Sequence, residues 1–319
     1  MTKIIAFQTV LDALLDDSQP FSPHFLYLFS DIDSGQLKLL LKAWPQVSLA
    51  RQRALLEDLE ELAEDDTLLC FDDLARALLQ DPDPQVRVQA LRLMWECEDA
   101  KLVPTFLEIL TEDSDINVRA AAATALGLFI YLGEIEEIAE QTLHKVEDSL
   151  LAVIHSDEVT LVRRRALEAL GWSSRSEVAA LIEAGYAEKD ADWKTSALFA
   201  MGRSGDERWG KQVLSNLSNR TEAIRLEALR AAGELALASA RPILLDTLAD
   251  EEEVETRHEI IWVLTKIGGA EVNDRLVELL EMAEDDVEET EFLEEALENL
   301  AFTEEVSNFE LLDFEDDWK

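Results

Sequence analysis

Few side chains in this sequence are suited to chemistry, and their spacing does not gather them. The four histidines, His24, His144, His155 and His258, are the natural candidates for proton transfer or metal ligation. Only one is followed by an acid, in Arg257-His-Glu-Ile-Ile-Trp-Val-Leu. A metal site needs ligands converging from several elements, which one dyad cannot supply. Cys70 and Cys97 are too few for a disulfide framework or a zinc cluster, and the expectation is a reducing, cytoplasmic compartment. No Walker loop, nucleophile elbow, Cys/His pairing motif or glycine-rich phosphate cradle occurs. Carboxylates are so plentiful that no catalytic pair stands out. The reading is therefore a non-enzymatic chain with no catalytic residue, no metal and no cofactor.

The elements that position these residues form a lattice. A basic residue, usually after an apolar one, recurs at Arg51, Arg87, Arg119, Arg163, Lys194, Arg225 and Arg257, with gaps of 36, 32, 44, 31, 31 and 32 residues. Three positions after each comes Ala54, Ala90, Ala122, Ala166, Ala197, Ala228 or Ile260, and eight after comes Gly127, Gly171, Gly202 or Gly233 in four cases. Six before comes Asp81, Asp113, Asp157, Asn219 or Glu251. At about 100° per residue, positions 0, +3, +4, +7 and +8 share one helix face, so small residues line a close-packed seam. Asp81-Pro-Asp-Pro84 and Asp113-Ser-Asp115 are turn and N-cap chemistry. A Leu-rich helix follows each anchor helix, and no such pair can bury its apolar face without stacking on neighbours.

Asp81-Pro-Asp-Pro-Gln-Val-Arg-Val-Gln-Ala90 and Val162-Arg-Arg-Arg-Ala-Leu-Glu-Ala-Leu-Gly171 resemble HEAT repeats, particularly the short HEAT-like variety of phycobilisome lyases. The resemblance implies an all-α fold, a right-handed α-α superhelical solenoid of HEAT-like helical hairpins. It also implies a ladder in which turn acids and helix arginines of adjacent repeats pair, here Asp81, Arg87, Asp113, Arg119, Asp157, Arg163 and Arg225. The expected organisation is an irregular helical cap over 1–45, about seven repeats over 46–300 with an insertion near 130–148, and an acidic aromatic tail over 301–319. The run around His258 resembles a repeat of deoxyhypusine hydroxylase, whose di-iron site uses several His-Glu dyads. The alternative function is accordingly a HEAT-like lyase or hydroxylase, disfavoured because one dyad alone is present.

Charge narrows the partner. With 28 Lys+Arg against 69 Asp+Glu the net charge is -41, which repels phosphate backbones and disfavours nucleic acid. Residues 1–156 hold 11 basic and 29 acidic residues, 157–241 hold 13 of each, and 242–319 hold 4 and 27. A neutral waist thus separates two acidic arms suited to a basic protein. The longest apolar stretch, Ala120 to Leu132, falls short of the ~18–20 residues of a bilayer span, so no membrane insertion is expected. The resemblance implies that anchor helices line a groove, and positions +2, +5 and +9 point off the packed seam. They give Arg92, Arg165, Trp172, Phe199, Arg203, Arg230 and Trp262 as partner-binding candidates. The tail motif Leu311, Leu312, Phe314 and Trp318 alternates apolar anchors with acids, as docking peptides and terminal caps both do. The leading reading is a scaffold or adaptor holding another protein.

Overall fold

The computed structural model describes residues 6–283 and 286–311. Among the described residues all regular secondary structure is helical. It forms two compact units, Met1–Leu170 and Gly171–Lys319. The first contains α1 (Phe7–Leu15), α2 (Ser34–Ala43), α3 (Leu49–Asp65), α4 (Asp72–Leu78), α5 (Pro84–Arg92), α6 (Val103–Glu112), α7 (Ile116–Glu134), α8 (Glu140–His155) and α9 (Thr160–Leu170). The second contains α10 (Ser176–Ala187), α11 (Ala191–Arg203), α12 (Gly210–Asn216), α13 (Glu222–Glu234), α14 (Arg241–Asp250), α15 (Val254–Ile267), α16 (Ala270–Met282) and α17 (Val287–Leu311).

Within each unit the anchor helices stack in order, α3 on α5, α5 on α7 and α7 on α9, then α11 on α13, α13 on α15 and α15 on α17. Each anchor helix from α5 onward is partnered in its hairpin by the helix before it, as α6 with α7 and α10 with α11. The repeat unit therefore begins with the Leu-rich helix, half a unit earlier than the sequence order of anchors suggests. The small residues do what the periodicity predicts: Ala90, Ala122, Ala166, Ala197 and Ala228 are fully buried.

Turn chemistry sets the helix starts. Asp83 caps α5 by accepting from the Val86 amide, and Asp115 caps α7 by accepting from the Asn117 and Val118 amides. Two residues ahead of each cap, the carboxylates of Asp81 and Asp113 accept from the amides of Asp83 and Asp115, at 2.9 and 2.8 Å. The side chain of Asn219 does the same for Thr221 at 2.9 Å. The carbonyls of these three residues are occupied too. They accept from the guanidinium six residues on, Arg87 to Asp81 and Arg119 to Asp113 at 2.8 Å and Arg225 to Asn219 at 2.9 Å. The six-residue offset in the sequence is thus a turn stapled to its own helix.

The first repeat departs from the expected register. Ala54 is exposed, whereas Gln52 and Leu56 are buried, so the lattice there runs through Arg53 rather than Arg51. Arg51 instead donates to the carbonyls of Asp16 and Gln19, at 3.2 and 2.7 Å, and holds the N-terminal segment to α3. That segment is α1, a 3-10 stretch Pro23–Phe29 and α2, cored by Val10, Leu14, Phe29 and Leu40. The 44-residue gap contains no extra helix: it is absorbed by lengthening, with α7 at 19 residues and α8 at 16. At mean hydropathy 1.4, α7 has the length and apolarity of a membrane span. Most of its apolar residues, among them Val118, Leu126, Phe129 and Ile130, are nevertheless buried, and the helix packs on α5, α6, α8 and α9. At the other end, α17 continues to Leu311, past position 300. Leu312, Phe314 and Trp318 lie outside the described residues.

Candidate functional site

Five of the seven groove candidates come together in the second unit. Trp172, Phe199, Arg203, Arg230 and Trp262 line a cleft of about 280 Å³, with Glu227, Glu234, Glu259 and Lys266 completing its polar wall. The cleft is the exposed side of α11, α13 and α15, and its floor exists because the backbones approach closely. A Cβ on Gly171 would sit 2.9 Å from the Ala200 Cα, and one on Gly202 would sit 3.0 Å from the Ala231 Cα. Gly233 would place its Cβ 3.2 Å from Val263. The glycines at +8 let successive helices approach closely enough for their +2, +5 and +9 side chains to meet.

The aromatic side of the cleft already holds a cation. The Arg203 guanidinium carbon lies 4.3 Å from the centroid of the Phe199 ring and 5.3 Å from that of Trp172, a cation–π sandwich. On the polar side, charges bridge α13 and α15. Arg230 Nε donates to Glu259 at 2.7 Å, and Lys266 Nζ donates to Glu234 at 2.6 Å. The Glu259 carboxylate raises the Arg230 pKa, against the opposing effect of partial burial. Both pairs are half-exposed, so each contributes at most about 1 kcal/mol. Around the whole cleft the three glutamates, Glu227, Glu234 and Glu259, balance the three bases, Arg203, Arg230 and Lys266.

Arg92 and Arg165 belong to the first unit, not to this cleft. Arg92 lies 3.6 Å from Glu60, and Arg165 pairs at 2.5 Å with Glu168 on its own helix. Glu227, Glu234, Glu259 and Lys266 are the residues sequence reasoning passed over. They stand at +2 and +9 from Arg225 and Arg257, so the rule that found the aromatics would have found them too.

The charge ladder forms with shifted partners. Arg87 grips Asp113 with two 2.8 Å bonds, the side chains only 12% and 11% exposed. Arg119 makes the same two-pronged contact, at 2.9 and 3.0 Å, with Glu158 rather than the expected Asp157. The shift arises because Ser156 takes over the turn contact, accepting from the Glu158 amide at 3.1 Å. The Asp81 carboxylate forms no rung with an arginine of the neighbouring repeat: it accepts from the Trp44 indole at 2.9 Å, and the corresponding rung is Arg53 with Asp83. Arg163 donates to the Ile154 carbonyl at 2.9 Å. These contacts shift acidities as expected. The Arg53 bond holds Asp83 below the usual carboxylate range, and the Arg119 bond does so for Glu158. At Asp113 burial pushes the pKa up, but the bonds from Arg87 and the Asp115 amide outweigh it and the net shift is downward.

His258 is part of a clasp between α15 and α17. Its ring stacks on Phe292 at 3.8 Å, and its Nε2 lies 2.6 Å from Glu289, which also accepts from Arg257 at 2.5 Å. Glu289 stands 32 residues after Arg257, one repeat length, so the lattice extended by one unit points to it. Glu289→Ala should therefore loosen α17 locally. Amide exchange over 287–293 is expected to rise about tenfold with little change in the main melting transition. Equal exchange in variant and parent would show that the clasp holds nothing. Among the described residues no group of three or more His, Cys, Asp or Glu could hold a metal. Cys97 is buried, and burial pushes its thiol up to about 11, with a contribution from Asp72.

A family model for HEAT repeats matches residues 71–139 and 210–298. No curated protein sequence matches the chain. Among solved structures, the CpcE–CpcF complex of phycocyanin lyase from Nostoc sp. PCC7120 is similar at a TM-score of 0.51 and 16% identity, over 89% of this chain and 97% of that one. Human deoxyhypusine hydroxylase is 20% identical over 82% of this chain and 95% of its own, with a TM-score of 0.35. At 16% identity the likeness to the lyase complex is one of fold, and the chain is all-α, built of stacked helical hairpins with HEAT repeats over the matched residues.

Proposed function

We propose that this HEAT-repeat chain is a non-enzymatic scaffold whose second unit holds a segment of a partner protein in the cleft between Trp172 and Trp262. One observation carries the reading. Three large aromatics from three of four consecutive repeats, Trp172, Phe199 and Trp262, remain partly exposed around one cavity rather than folding into the helix seam. Core packing does not require them there, and partly exposed aromatics with a polar rim are the usual anchors of protein interfaces. The chain's net charge of -41 favours a basic partner and speeds its encounter. A cytoplasmic setting agrees with two free cysteines, one of them exposed.

The test is affinity capture from native lysate with full-length chain, comparing the parent with a Trp172→Ser/Trp262→Ser variant of unchanged helicity. One protein retained by the parent and reduced at least about tenfold by the variant is the expected result, since hot-spot aromatics contribute on the order of 2 kcal/mol each. Equal retention by both would remove the cleft from the function.

A further inference from the structure

Resting on the scaffold reading, we infer that the cleft selects an arginine side chain of a basic, extended segment of the partner, stacked on Trp262 and paired with Glu234 and Glu259. The cleft's own geometry supplies the first argument. It already holds one guanidinium, that of Arg203, on the faces of Phe199 and Trp172. Planar guanidinium stacks on aromatic rings and forks onto carboxylates in a way an ammonium cannot. Among the described residues no cation lies over the third ring, Trp262, although it lines the same cavity.

The second argument concerns which charges can be exchanged. Glu234 and Glu259 are held by Lys266 and Arg230, whose side chains are 39% and 54% exposed. Long, half-exposed side chains in such pairs are weakly held, so an incoming cation can displace them into water at little cost. The reverse exchange, an acidic ligand displacing the glutamates, is opposed by the surroundings. Residues 242–319, which supply α15 and the helices that follow it, carry 27 acids against 4 bases. At a net charge of -41 the long-range field draws cations toward the cleft and repels anions. The surrounding field thus favours a cation, and the aromatic faces favour the flat, weakly hydrated one.

Three capped Gly/Ser peptides of equal length, carrying arginine, lysine or citrulline at the same positions, test this on the full-length chain. The readout is the indole N–H signals of its 7 tryptophans, with the Trp262 signal assigned from Trp262→Phe. The arginine peptide is expected to move the Trp262 signal saturably and to weaken as salt rises. The lysine peptide should bind about threefold more weakly and the citrulline peptide at least about tenfold more weakly. Glu234→Gln/Glu259→Gln, with an unchanged melting curve, should weaken the arginine peptide about tenfold. Equal binding of citrulline and arginine would overturn the inference. So would lysine matching arginine, a Trp262 signal unmoved at millimolar peptide, or full affinity in the double glutamine variant. If these fail while partner capture still depends on Trp172 and Trp262, the scaffold reading survives and the arginine assignment falls. If peptide binding succeeds while capture is indifferent to those tryptophans, the reverse holds.

Discussion

Asp113→Asn is expected to destabilise the first unit by about 3 kcal/mol at neutral pH, and the deficit should vanish in acid. The side chains of Arg87 and Asp113 are 12% and 11% exposed and joined by two 2.8 Å bonds. Removing one charge leaves the other largely desolvated and unpaired, which costs about 3–5 kcal/mol for a buried pair. An amide can keep one of the bonds, hence the lower end. The sign of the pH dependence follows from the lowered pKa of Asp113, in which the bonds from Arg87 and the Asp115 amide outweigh burial. A carboxylate whose folded pKa lies below its unfolded value of about 3.9 contributes stability that is complete above that value. The contribution is lost as pH falls through the folded pKa. Denaturant unfolding of parent and variant from pH 7 down to pH 2 measures the difference directly. A deficit that persists unchanged at pH 2 would assign the cost to packing or to the Asp115 turn rather than to the ion pair. Arg87→Ala should reproduce the neutral-pH loss and also free the Asp81 carbonyl, which Arg87 occupies at 2.8 Å.

The second large effect is steric. Gly202→Val should cost about 3 kcal/mol, lowering the melting temperature of the second unit by several degrees and closing the cleft to peptide. A Cβ at Gly202 would lie 3.0 Å from the Ala231 Cα and 3.3 Å from its Cβ. Backbone cannot give way as a flexible side chain can, so α11 and α13 must separate, and overpacking of this kind typically costs about 1–3 kcal/mol. The branched side chain adds its own crowding to that cost. Gly205 is the control: its φ is +60° and a Cβ there meets nothing within 4 Å. Asn tolerates that conformation, so Gly205→Asn should stay within about 0.5 kcal/mol of the parent. Thermal unfolding of both variants decides the matter. Equal melting temperatures would mean that the close approach at Gly202 is not what holds α11 against α13.

The lattice of anchor, +3 alanine, +8 glycine and -6 acid was readable because it repeats, and repetition averages out local ambiguity. Helix class, hairpin stacking and the seam all follow from it, since small residues on a 3.6-residue period can serve only a close helix contact. Where the pattern occurs once, the sequence misled. Arg51 and Arg53 are both arginines near the right spacing, and burial of Gln52 and Leu56 selects the second. Asp157 and Glu158 are adjacent acids, and which one meets Arg119 depends on the turn that Ser156 adopts.

The sequence by itself determined the repeat, its small-residue seam and the positions that face away from it, because each is a property of a single helix read along its own period. Only tertiary structure decided which of those positions share a cleft. Trp172, Phe199, Arg203, Arg230 and Trp262 meet within one unit while Arg92 and Arg165 pair with Glu60 and Glu168 in the other. Tertiary structure likewise decided that the arginines of the cleft face internal partners, Arg230 with Glu259 and Arg203 between two rings. The reason is geometric: period fixes the direction of a side chain from its own axis, whereas contact depends on the ångström-scale separation between axes. Here that separation is set by glycines whose missing Cβ atoms leave just enough room.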